Sequence, residues 1–315
     1  MFDLIIIGSG PAGLTASIYA SRYKLANLIV GKSMGGTITY ASEVENYPGI
    51  NSITGVELGK KMINHAKSLG AEIISDNVDK IETIKENQGF RIFGESKKIW
   101  EGKALILATG TERRKLNVPG EQKYLGKGIS YCPTCDAPFF KGKTVVLVGG
   151  SDAACSGAVH LAEYVNKVYL IYRGEALRAE PSWLEDVKTH PKIEIIYHTN
   201  VAEVLGDETM VTGVKLDRLF KNQNIIPVAG VFVEIGGTPG NFLAELLGAQ
   251  LDDNGYVIVN EDMSTNISGF FAAGDLTNKS KILVQVITAC AQGAIAAASV
   301  YKYIKGQKPA QIQGI

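Results

Sequence analysis

The chain has no excess of charge of either sign, because its 315 residues include 32 Lys and Arg and 32 Asp and Glu. This balance argues against a nucleic-acid-binding protein or a polybasic membrane binder, both of which carry clustered positive charge. Hydrophobic residues make up 45% of the chain and charged residues 20%, which excludes a chain disordered throughout. At roughly 150 residues per domain, the length predicts about two domains.

Long apolar runs and secretion signals are also missing. The N-terminus passes directly into the apolar run Leu4–Ile7, with no basic segment and no small-residue cleavage site, so we expect no signal peptide. No apolar run approaches the ~18–20 residues of a membrane span. The four cysteines include one Cys-x-x-Cys pair, which is not the framework of a disulfide-rich secreted protein. We therefore expect a cytoplasmic protein.

Glycine is the residue in excess, at 35 of 315 positions against a usual share of about 7%. Glycine clusters follow two strand-like runs, Leu4–Ile7 and Thr144–Val148. Each cluster opens a helical stretch, which ends at Arg22 in the first case and near Tyr164 in the second. The pattern predicts two βαβ nucleotide-binding units with parallel sheets, about 140 residues apart.

Further strand and helix signals lie between and after these units. Two apolar runs, Ala104–Ala108 and Gly230–Ile235, predict strands that end at glycine turns. Ala289–Tyr303 predicts a helix whose many small side chains allow close packing against a sheet. The polar tail after Lys305 is expected to fray.

The first glycine cluster, residues 8–13, has the Gly-x-Gly-x-x-Gly spacing of a dinucleotide-binding turn. Gly8 permits the tight turn, Gly10 lets the backbone approach a pyrophosphate, and Gly13 lets the helix pack closely on the strand. The helix N-terminus then favours phosphate through its partial positive charge. With the distant Ala-Ala-Gly-Asp at residues 272–275, this motif indicates FAD.

An acidic partner for the adenosine ribose is missing from its usual place. It is expected about 20 residues after the glycine turn, but no Asp or Glu occurs between Asp3 and Glu43. The ribose contact is therefore left unassigned. A glycine turn that binds nothing is the alternative interpretation.

Cys132 and Cys135 form the Cys-x-x-Cys pair. Two intervening residues bring the sulfurs within disulfide range at the start of a helix, where N–H groups stabilise a reactive thiolate. The adjacent Asp136 can exchange protons with a departing thiol. Half of a zinc site is an alternative, although no second Cys-x-x-Cys or His-x-His follows. Two core cysteines are another, but Pro133 and Pro138 indicate a turn.

The other cysteines and the histidines carry no pattern of their own. Cys155 and Cys290 lie in predicted helices and are expected to be small buried apolar residues. The four histidines, His65, His160, His190 and His198, are scattered and are interpreted as surface or structural residues. No metal site is predicted.

Taken together, these motifs resemble the low-molecular-weight thioredoxin reductases, within the FAD-dependent pyridine nucleotide-disulfide oxidoreductase superfamily. The resemblance extends over essentially the full chain and is carried by Gly8–Gly13, Gly35–Thr37, Glu43–Gly49, Ala108–Gly110, Cys132–Asp136, Ala272–Asp275 and Gln285–Val286. It implies an α/β fold with two Rossmann-like nucleotide-binding domains of the two-dinucleotide-binding flavoprotein type, the second inserted into the first. The FAD domain would comprise residues 1–112 and 238–315, and the dithiol domain, which is NAD(P)H-like, residues 113–237.

The resemblance also implies one FAD per subunit and a homodimer. Cys132 and Cys135 would cycle between disulfide and dithiol, with Cys135 the flavin-proximal sulfur. Cys132 would attack the disulfide of the partner protein, and Asp136 would donate a proton. The implied cofactor-binding residues are Gly8, Ser9, Gly10, Pro11, Ala12, Gly13, Gly35, Gly36, Thr37, Asn46, Ala108, Thr109, Gly110, Gly274, Asp275, Gln285 and Val286.

The second glycine cluster, residues 149–154, departs from the family pattern Gly-x-Gly-x-x-Ala because Ser151 replaces its second glycine. The family has a His-Arg-Arg signature for NADPH binding. In this chain Gly174 stands in place of one of those arginines, and Glu175 follows it. Loss of one charge-assisted phosphate contact costs roughly 1.5–3 kcal/mol, or one to two decades of affinity. The sequence thus favours an electron donor other than NADPH, such as ferredoxin or a reduced deazaflavin. Ordinary NADPH use through Arg173 and Arg178 is the alternative.

The sequence as a whole predicts an FAD-dependent protein-disulfide reductase that acts on a thioredoxin-like protein. A dithiol oxidase that passes electrons to oxygen, and a non-catalytic flavin-bound redox sensor, are the alternatives. Phe139 and Phe140 beside the dithiol either seat a partner or belong to the core. Gly110–Thr111 and Gly236–Gly237 are candidate hinges.

Overall fold

Each predicted βαβ unit forms its own sheet in the computed structural model, which describes residues 1–84 and 89–306. The contacts divide the chain into two units. Unit 1 comprises Met1–Thr39, Val44–Glu112 and Thr238–Ile315, and unit 2 comprises Tyr40–Glu43 and Arg113–Gly237. The tail that is expected to fray lies, apart from Gly306, outside the described residues.

The elements are as follows in chain order. The first 113 residues form β1 (Phe2–Ile7), α1 (Pro11–Arg22), β2 (Asn27–Val30), α2 (Gly55–Ser68), β3 (Glu72–Ile74), β4 (Val78–Thr83), β5 (Phe90–Gly94), β6 (Ile99–Leu107) and β7 (Thr111–Arg113). Unit 2 continues with α3 (Glu121–Tyr124), β8 (Ile129–Ser130), α4 (Pro133–Asp136), β9 (Thr144–Gly149), α5 (Asp152–Tyr164), β10 (Lys167–Ile171), α6 (Pro181–Thr189), β11 (Ile193–Ile196), β12 (Val201–Gly206), β13 (Val211–Phe220), β14 (Gln223–Pro227) and β15 (Gly230–Glu234). The last part contains β16 (Gly237–Pro239), α7 (Phe242–Leu246), β17 (Phe270–Ala272) and α8 (Val286–Lys305).

The unit 1 sheet has the order β3-β2-β1-β6-β5-β4, and β17 also pairs with β6. Strand β1 pairs in parallel with β2 and β6, whereas β4, β5 and β6 are antiparallel. All four residues of Leu4–Ile7 are buried, as expected for a strand that is covered on both faces. The carboxyl ends of β1, β2, β3 and β6 therefore meet at one edge of the sheet.

Close packing of α1 against its neighbours depends on glycine. A Cβ atom at Gly13 would lie 1.9 Å from the Gly8 carbonyl oxygen, and one at Gly293 would lie 2.1 Å from the carbonyl oxygen of Ala12. Both helices begin a few residues before their predicted starts. In α1, Pro11 takes the first helical position, and in α8 the side chains of Gln285 and Thr288 form a capping box.

Unit 2 contains a five-stranded parallel sheet in the order β11-β10-β9-β15-β8. The alternating residues of β9 face opposite sides, so Val145 and Leu147 pack with α5, and Val146 and Val148 pack with β12, β13 and β14. The sheet is thus covered by helices on one face and by strands on the other.

The sequence analysis predicted only parallel sheets and missed the antiparallel sheet β12-β13-β14. The Phe220↔Gln223 pair closes its hairpin through Lys221 and Asn222, both of which have positive φ angles of 49° and 64°. Two-residue turns of this kind usually contain glycine, and its absence removes the usual hairpin signal. No helix among residues 1–84 and 89–306 has the length and apolar character to cross a bilayer.

Candidate functional site

A cavity of about 360 Å³ opens in unit 1 at the carboxyl ends of β1, β2 and β6. Most of the predicted cofactor-binding residues line it: Gly8, Ser9, Gly10, Pro11, Ala12, Gly36, Thr37, Ala108, Thr109, Gly110, Gly274 and Asp275. Further lining residues that the sequence analysis did not identify are Ile7, Val30, Gly31, Lys32, Ser33, Asp76, Asn77, Val78, Thr111, Glu112, Leu243 and Ala289. The sequence motifs therefore converge on one cavity, with additional segments completing its wall.

The glycine turn brings backbone rather than side chains to this cavity. Gly8 has a φ angle of 115°, and a Cβ atom there would lie 2.2 Å from the Ala108 carbonyl oxygen, so only glycine fits. Gly10 is the N-cap of α1 and offers no side chain to the first N–H groups of the helix. These N–H groups are left for an anionic ligand such as a pyrophosphate.

Asp275 supplies a polar group to the same cavity. Its Oδ1 atom is buried and has no hydrogen-bond partner among the described residues, and burial raises the pKa of the carboxyl group from 3.8 to about 6. The turn is fixed by the Gln292 side-chain oxygen, which accepts hydrogen bonds from the Gly274 amide and the Thr277 hydroxyl at 2.8 and 2.9 Å. An unpaired buried acceptor is costly unless a ligand donates to it.

The remaining predicted cofactor residues lie outside the cavity lining. Gly13 packs beneath the turn, and Gly35 precedes the lining residue Gly36. The Asn46 side chain donates a hydrogen bond of 3.2 Å to the side-chain oxygen of Gln285, which precedes Val286 at the start of α8. This contact joins two segments that are far apart in the sequence.

The acidic residues that line the cavity do not lie about 20 residues after the glycine turn, where an acidic partner for the ribose is expected. After β2 the lining residues are Lys32 and Ser33, and the acidic lining residues are Asp76 and Glu112. Asp76 follows β3, which pairs in parallel with β2 and therefore ends at the same sheet edge. Its carboxylate accepts hydrogen bonds from the Asn77 amide at 2.8 Å and from Ser96, which lower its pKa.

The chemistry of this cavity fits FAD. Helix N–H groups suit the pyrophosphate, the unpaired Asp275 oxygen suits a hydroxyl donor, and the glycine turn leaves room for backbone contact with the ligand. These features belong entirely to unit 1.

The predicted dithiol is a Cys132–Cys135 disulfide in unit 2, with Cα atoms 5.3 Å apart. Cys132 is the N-cap of α4, and its sulfur accepts a hydrogen bond of 3.1 Å from the Cys135 amide. A Cys132 thiolate in this place would be stabilised by that amide and by the helix N-terminus. Cys135 is exposed, Cys132 is half-buried, and the half-buried Asp136 ends the helix.

The turn around the dithiol is fixed by side chains on both sides. The Cys132 amide donates to the Ser130 hydroxyl at 2.9 Å, and the Thr134 hydroxyl donates to the Tyr40 carbonyl at 2.7 Å. Of the two phenylalanines that follow, Phe139 is 81% exposed, whereas the Phe140 ring packs against Phe232 with centroids 5.1 Å apart. Phe140 thus packs against the core of unit 2, and Phe139 is accessible to another molecule.

Arg113 connects several polar groups of unit 2. Its guanidinium donates to the Glu234 carboxylate at 2.8 Å and lies 4.5 Å from the centroid of the Tyr40 ring. Burial raises the pKa of Glu234 from 4.5 to about 7, although the charge of Arg113 opposes the shift. This half-buried pair joins the last residue of β7 to the last residue of β15.

In the second glycine turn, the Tyr172 ring fills the space beside two glycines. A Cβ atom at Gly150 would lie 2.4 Å from the Tyr172 ring, and one at Gly174 would lie 2.7 Å from it. The ring is buried, so a larger residue at position 174 requires it to move. Ser151 is the N-cap of α5 but makes no capping hydrogen bond with its side chain.

The isolated cysteines are buried, as predicted. Burial raises the pKa of Cys155 to about 12 and also raises that of Cys290, so both remain thiols at neutral pH. His65 and His198 are exposed, while His160 and His190 are partly buried. Within the described ranges, no group of three or more His, Cys, Asp or Glu residues is arranged to hold a metal ion.

Comparisons with known proteins agree with this arrangement. A family model described as pyridine nucleotide-disulphide oxidoreductase matches residues 2–294. A thioredoxin reductase of Listeria monocytogenes is 39% identical over 310 residues, covering 98% of this chain and 95% of that protein. Among solved structures, Lactococcus lactis thioredoxin reductase matches with a TM-score of 0.92 and 33% identity, covering 97% of this chain and all of that one. A ferredoxin-flavin thioredoxin reductase from Clostridium acetobutylicum is 34% identical, with a TM-score of 0.52 and coverage of 97% and 99%.

Replacement Asp275→Asn is expected to stabilise the FAD-free protein at pH 8 and to weaken its retention of FAD. The folded-state pKa of about 6 lies above the ordinary 3.8, so the wild-type apoprotein loses stability as pH rises through this range. By pH 8 the loss is up to about 3 kcal/mol, and asparagine avoids it because it never ionises.

Thermal unfolding of the two apoproteins from pH 4 to pH 8 measures this difference. The melting temperatures should differ little near pH 4 and separate as the pH rises from about 4 to about 6, with little further separation above that. The exposed Asp253→Asn serves as the control and should show no such separation. Identical wild-type and Asp275→Asn curves at pH 8 would contradict the assignment of a strained, unpaired carboxylate.

Proposed function

The chain belongs to the pyridine nucleotide-disulphide oxidoreductase family, in its low-molecular-weight thioredoxin reductase branch, and we propose that it is an FAD-dependent reductase of thioredoxin-like protein disulfides. The observation that carries the proposal is the Cys132–Cys135 disulfide at the N-terminus of a short helix. A binding protein without turnover has no need of two sulfurs held in this way, so the redox-sensor alternative is disfavoured.

The residues of unit 1 hold the cofactor. The α1 N-terminus and the turn from Gly8 to Gly13 bind the pyrophosphate, and Asp275 accepts a hydrogen bond from a ligand hydroxyl. FAD, when bound, supplies a group that takes up and releases two electrons. The domain assignment that goes with this proposal is residues 1–112 and 238–315 for FAD and 113–237 for the dithiol, with Gly110–Thr111 and Gly236–Gly237 as hinges.

The residues of unit 2 carry out thiol–disulfide exchange. The Cys132 thiolate attacks one sulfur of the partner's disulfide and forms a mixed disulfide, and the released partner thiolate takes a proton from Asp136. Cys135 then attacks the Cys132 sulfur, which re-forms the Cys132–Cys135 disulfide and releases the second partner thiol. Two electrons and two protons pass to the partner in all. The exposed Phe139 ring is a contact surface for it.

We assign the partner to the thioredoxin class because the family relatives are thioredoxin reductases. The proposal also includes a homodimer, which the sequence resemblance implies, and a cytoplasmic location, which is the expectation from the cysteine pattern. A dithiol oxidase would use the same sulfurs in the opposite direction. No contact of the described residues favours it over the reductase.

The electron donor in this proposal is not NADPH. The Tyr172 ring fills the space beside Gly150 and Gly174, where the family signature places an arginine for the 2′-phosphate. Arg173 and Arg178 remain, both exposed, with Glu175 exposed between them. Ferredoxin or a reduced deazaflavin fits this site better, because neither needs a nucleotide pocket there, and one family relative is a ferredoxin-flavin thioredoxin reductase.

Replacement Cys135→Ser is expected to lower thioredoxin-disulfide reduction by at least about a hundred-fold, because the mixed disulfide can no longer be resolved. FAD should remain bound, since the cavity lining lies in unit 1. Reduction of thioredoxin and the visible flavin spectrum are the two measurements. Cys155→Ala, which removes a buried thiol outside the disulfide, is the control and should retain activity. A Cys135→Ser protein that still reduces thioredoxin would contradict the exchange scheme.

Mixing the oxidised protein with NADPH in a stopped-flow instrument is expected to leave the flavin band unchanged at micromolar NADPH. Reduced ferredoxin and reduced deazaflavin, tested with thioredoxin in the same panel as NADPH and NADH, should include the productive donor. Rapid bleaching of the flavin band by micromolar NADPH would overturn the donor assignment.

A designed variant tests whether the residues at positions 151, 172 and 174 are the reason that NADPH is not the donor. Ser151→Gly, Tyr172→His and Gly174→Arg together restore the family pattern and should increase NADPH affinity by about ten-fold or more. Gly174→Arg alone is the matched control, and it should gain less because the Tyr172 ring occupies the space at its Cβ atom.

A further inference from the structure

Glu121 is a buried carboxylate that is fully hydrogen-bonded, beside the dithiol turn. It is 7% exposed, and its Oε1 atom accepts from the Leu116 amide at 2.7 Å and from the Tyr131 hydroxyl. Its Oε2 atom accepts from the Asn117 amide at 2.7 Å. Three donors from two separate segments therefore converge on one side chain.

This arrangement requires a carboxylate and not an amide. Glu121 meets only donors, and an ionised carboxylate is the side chain that accepts at both of its oxygens. A glutamine that kept its oxygen towards Tyr131 would turn its NH₂ group towards the Asn117 N–H group. Charge-assisted hydrogen bonds of this type are stronger than neutral ones. Glu121 therefore holds the two segments that donate to it in a fixed position relative to each other.

Tyr131 links the hydrogen bonds of Glu121 to the backbone next to the reactive sulfur. It lies between Ser130, whose hydroxyl accepts from the Cys132 amide at 2.9 Å, and Cys132 itself. With residues 130 and 131 both fixed by their side chains, the Cys132 sulfur stays opposite the Cys135 amide, 3.1 Å away. Nothing in this path passes through the disulfide bond, so it can persist when the sulfurs are reduced.

The phenol of Tyr131 remains a donor at all working pH values. Burial, followed by the hydrogen bond to Glu121, raises the pKa of Tyr131 well above its usual range, and the charge of Arg113 opposes this only in part. The titratable groups close to the turn are thus Glu121, Arg113 and the neighbouring Asp136.

We propose that Glu121 and Tyr131 are positioning residues that hold Cys132 as the N-cap of α4, so that its thiolate is stabilised once the disulfide is reduced. The role rests on the proposed disulfide-exchange function and extends it. It assigns the reactivity of Cys132 to a carboxylate eleven positions earlier in the chain, which contacts neither sulfur.

Tyr131→Phe in the FAD-loaded full-length protein tests the proposal. The reduced variant should react with iodoacetamide at Cys132 about three- to ten-fold more slowly at pH 7, because the thiolate loses orientation. In glutathione redox buffers its equilibrium constant for reduction of the disulfide should fall by a similar factor, about three- to ten-fold. Mass spectrometry of alkylated Cys132 and Cys135 gives both quantities.

Tyr124→Phe is the matched control. The Tyr124 hydroxyl donates a hydrogen bond of 3.0 Å to the Asp207 carbonyl in the same unit, and Tyr124 is buried whereas Tyr131 is half-buried. Its loss should lower the melting temperature without changing the alkylation rate or the glutathione equilibrium. Glu121→Gln provides a second test and should change both quantities in the same direction as Tyr131→Phe.

Unchanged alkylation and redox equilibrium in both Tyr131→Phe and Glu121→Gln would overturn the proposal and leave the pair a purely structural role. These readouts use chemical reduction and need no thioredoxin. Mixing prereduced wild-type protein with oxidised thioredoxin separates the two conclusions: if thioredoxin is not reduced while the variants still shift, the proposed function fails and the positioning role stands.

Discussion

The hydrogen bond from the Cys135 amide to the Cys132 sulfur is the interaction on which the chemistry of unit 2 depends. It places one sulfur at the N-terminus of a helix, where negative charge is stabilised, and leaves the other exposed. The two sulfurs are therefore chemically unequal before any partner arrives. An exchange reaction needs this inequality, because one sulfur must attack the partner and the other must resolve the intermediate.

Two carboxylate side chains with buried oxygens differ in whether those oxygens have hydrogen-bond partners. Asp275 has an oxygen without a partner in the cavity of unit 1, whereas both oxygens of Glu121 are hydrogen-bonded within unit 2. A buried acceptor without a partner raises the free energy of the folded protein until a ligand donates a hydrogen bond to it. A fully hydrogen-bonded carboxylate instead fixes the positions of its neighbours. In the functions proposed above, the same side-chain chemistry therefore serves cofactor binding in one unit and preparation of the dithiol in the other.

Local patterns predicted the parts of the molecule that are encoded within a few residues. The strand, glycine turn and helix from Gly8 to Gly13, and the cysteines three positions apart, need no knowledge of the tertiary fold. Asp76 was missed as a cavity residue because it arrives there only through the pairing of β3 with β2. The contact of Tyr172 with Gly174 was missed for a related reason, since the direction of a ring depends on packing. The antiparallel sheet of unit 2 was not predicted from the sequence because its hairpin turn lacks glycine.

Anaerobic titration of the FAD-loaded protein with dithionite tests the central claim most directly. The account predicts the uptake of about four electrons per chain, two by the flavin and two by the disulfide, with new thiols at Cys132 and Cys135. Full bleaching of the flavin after about two electrons, with the disulfide still intact by mass spectrometry, would contradict it.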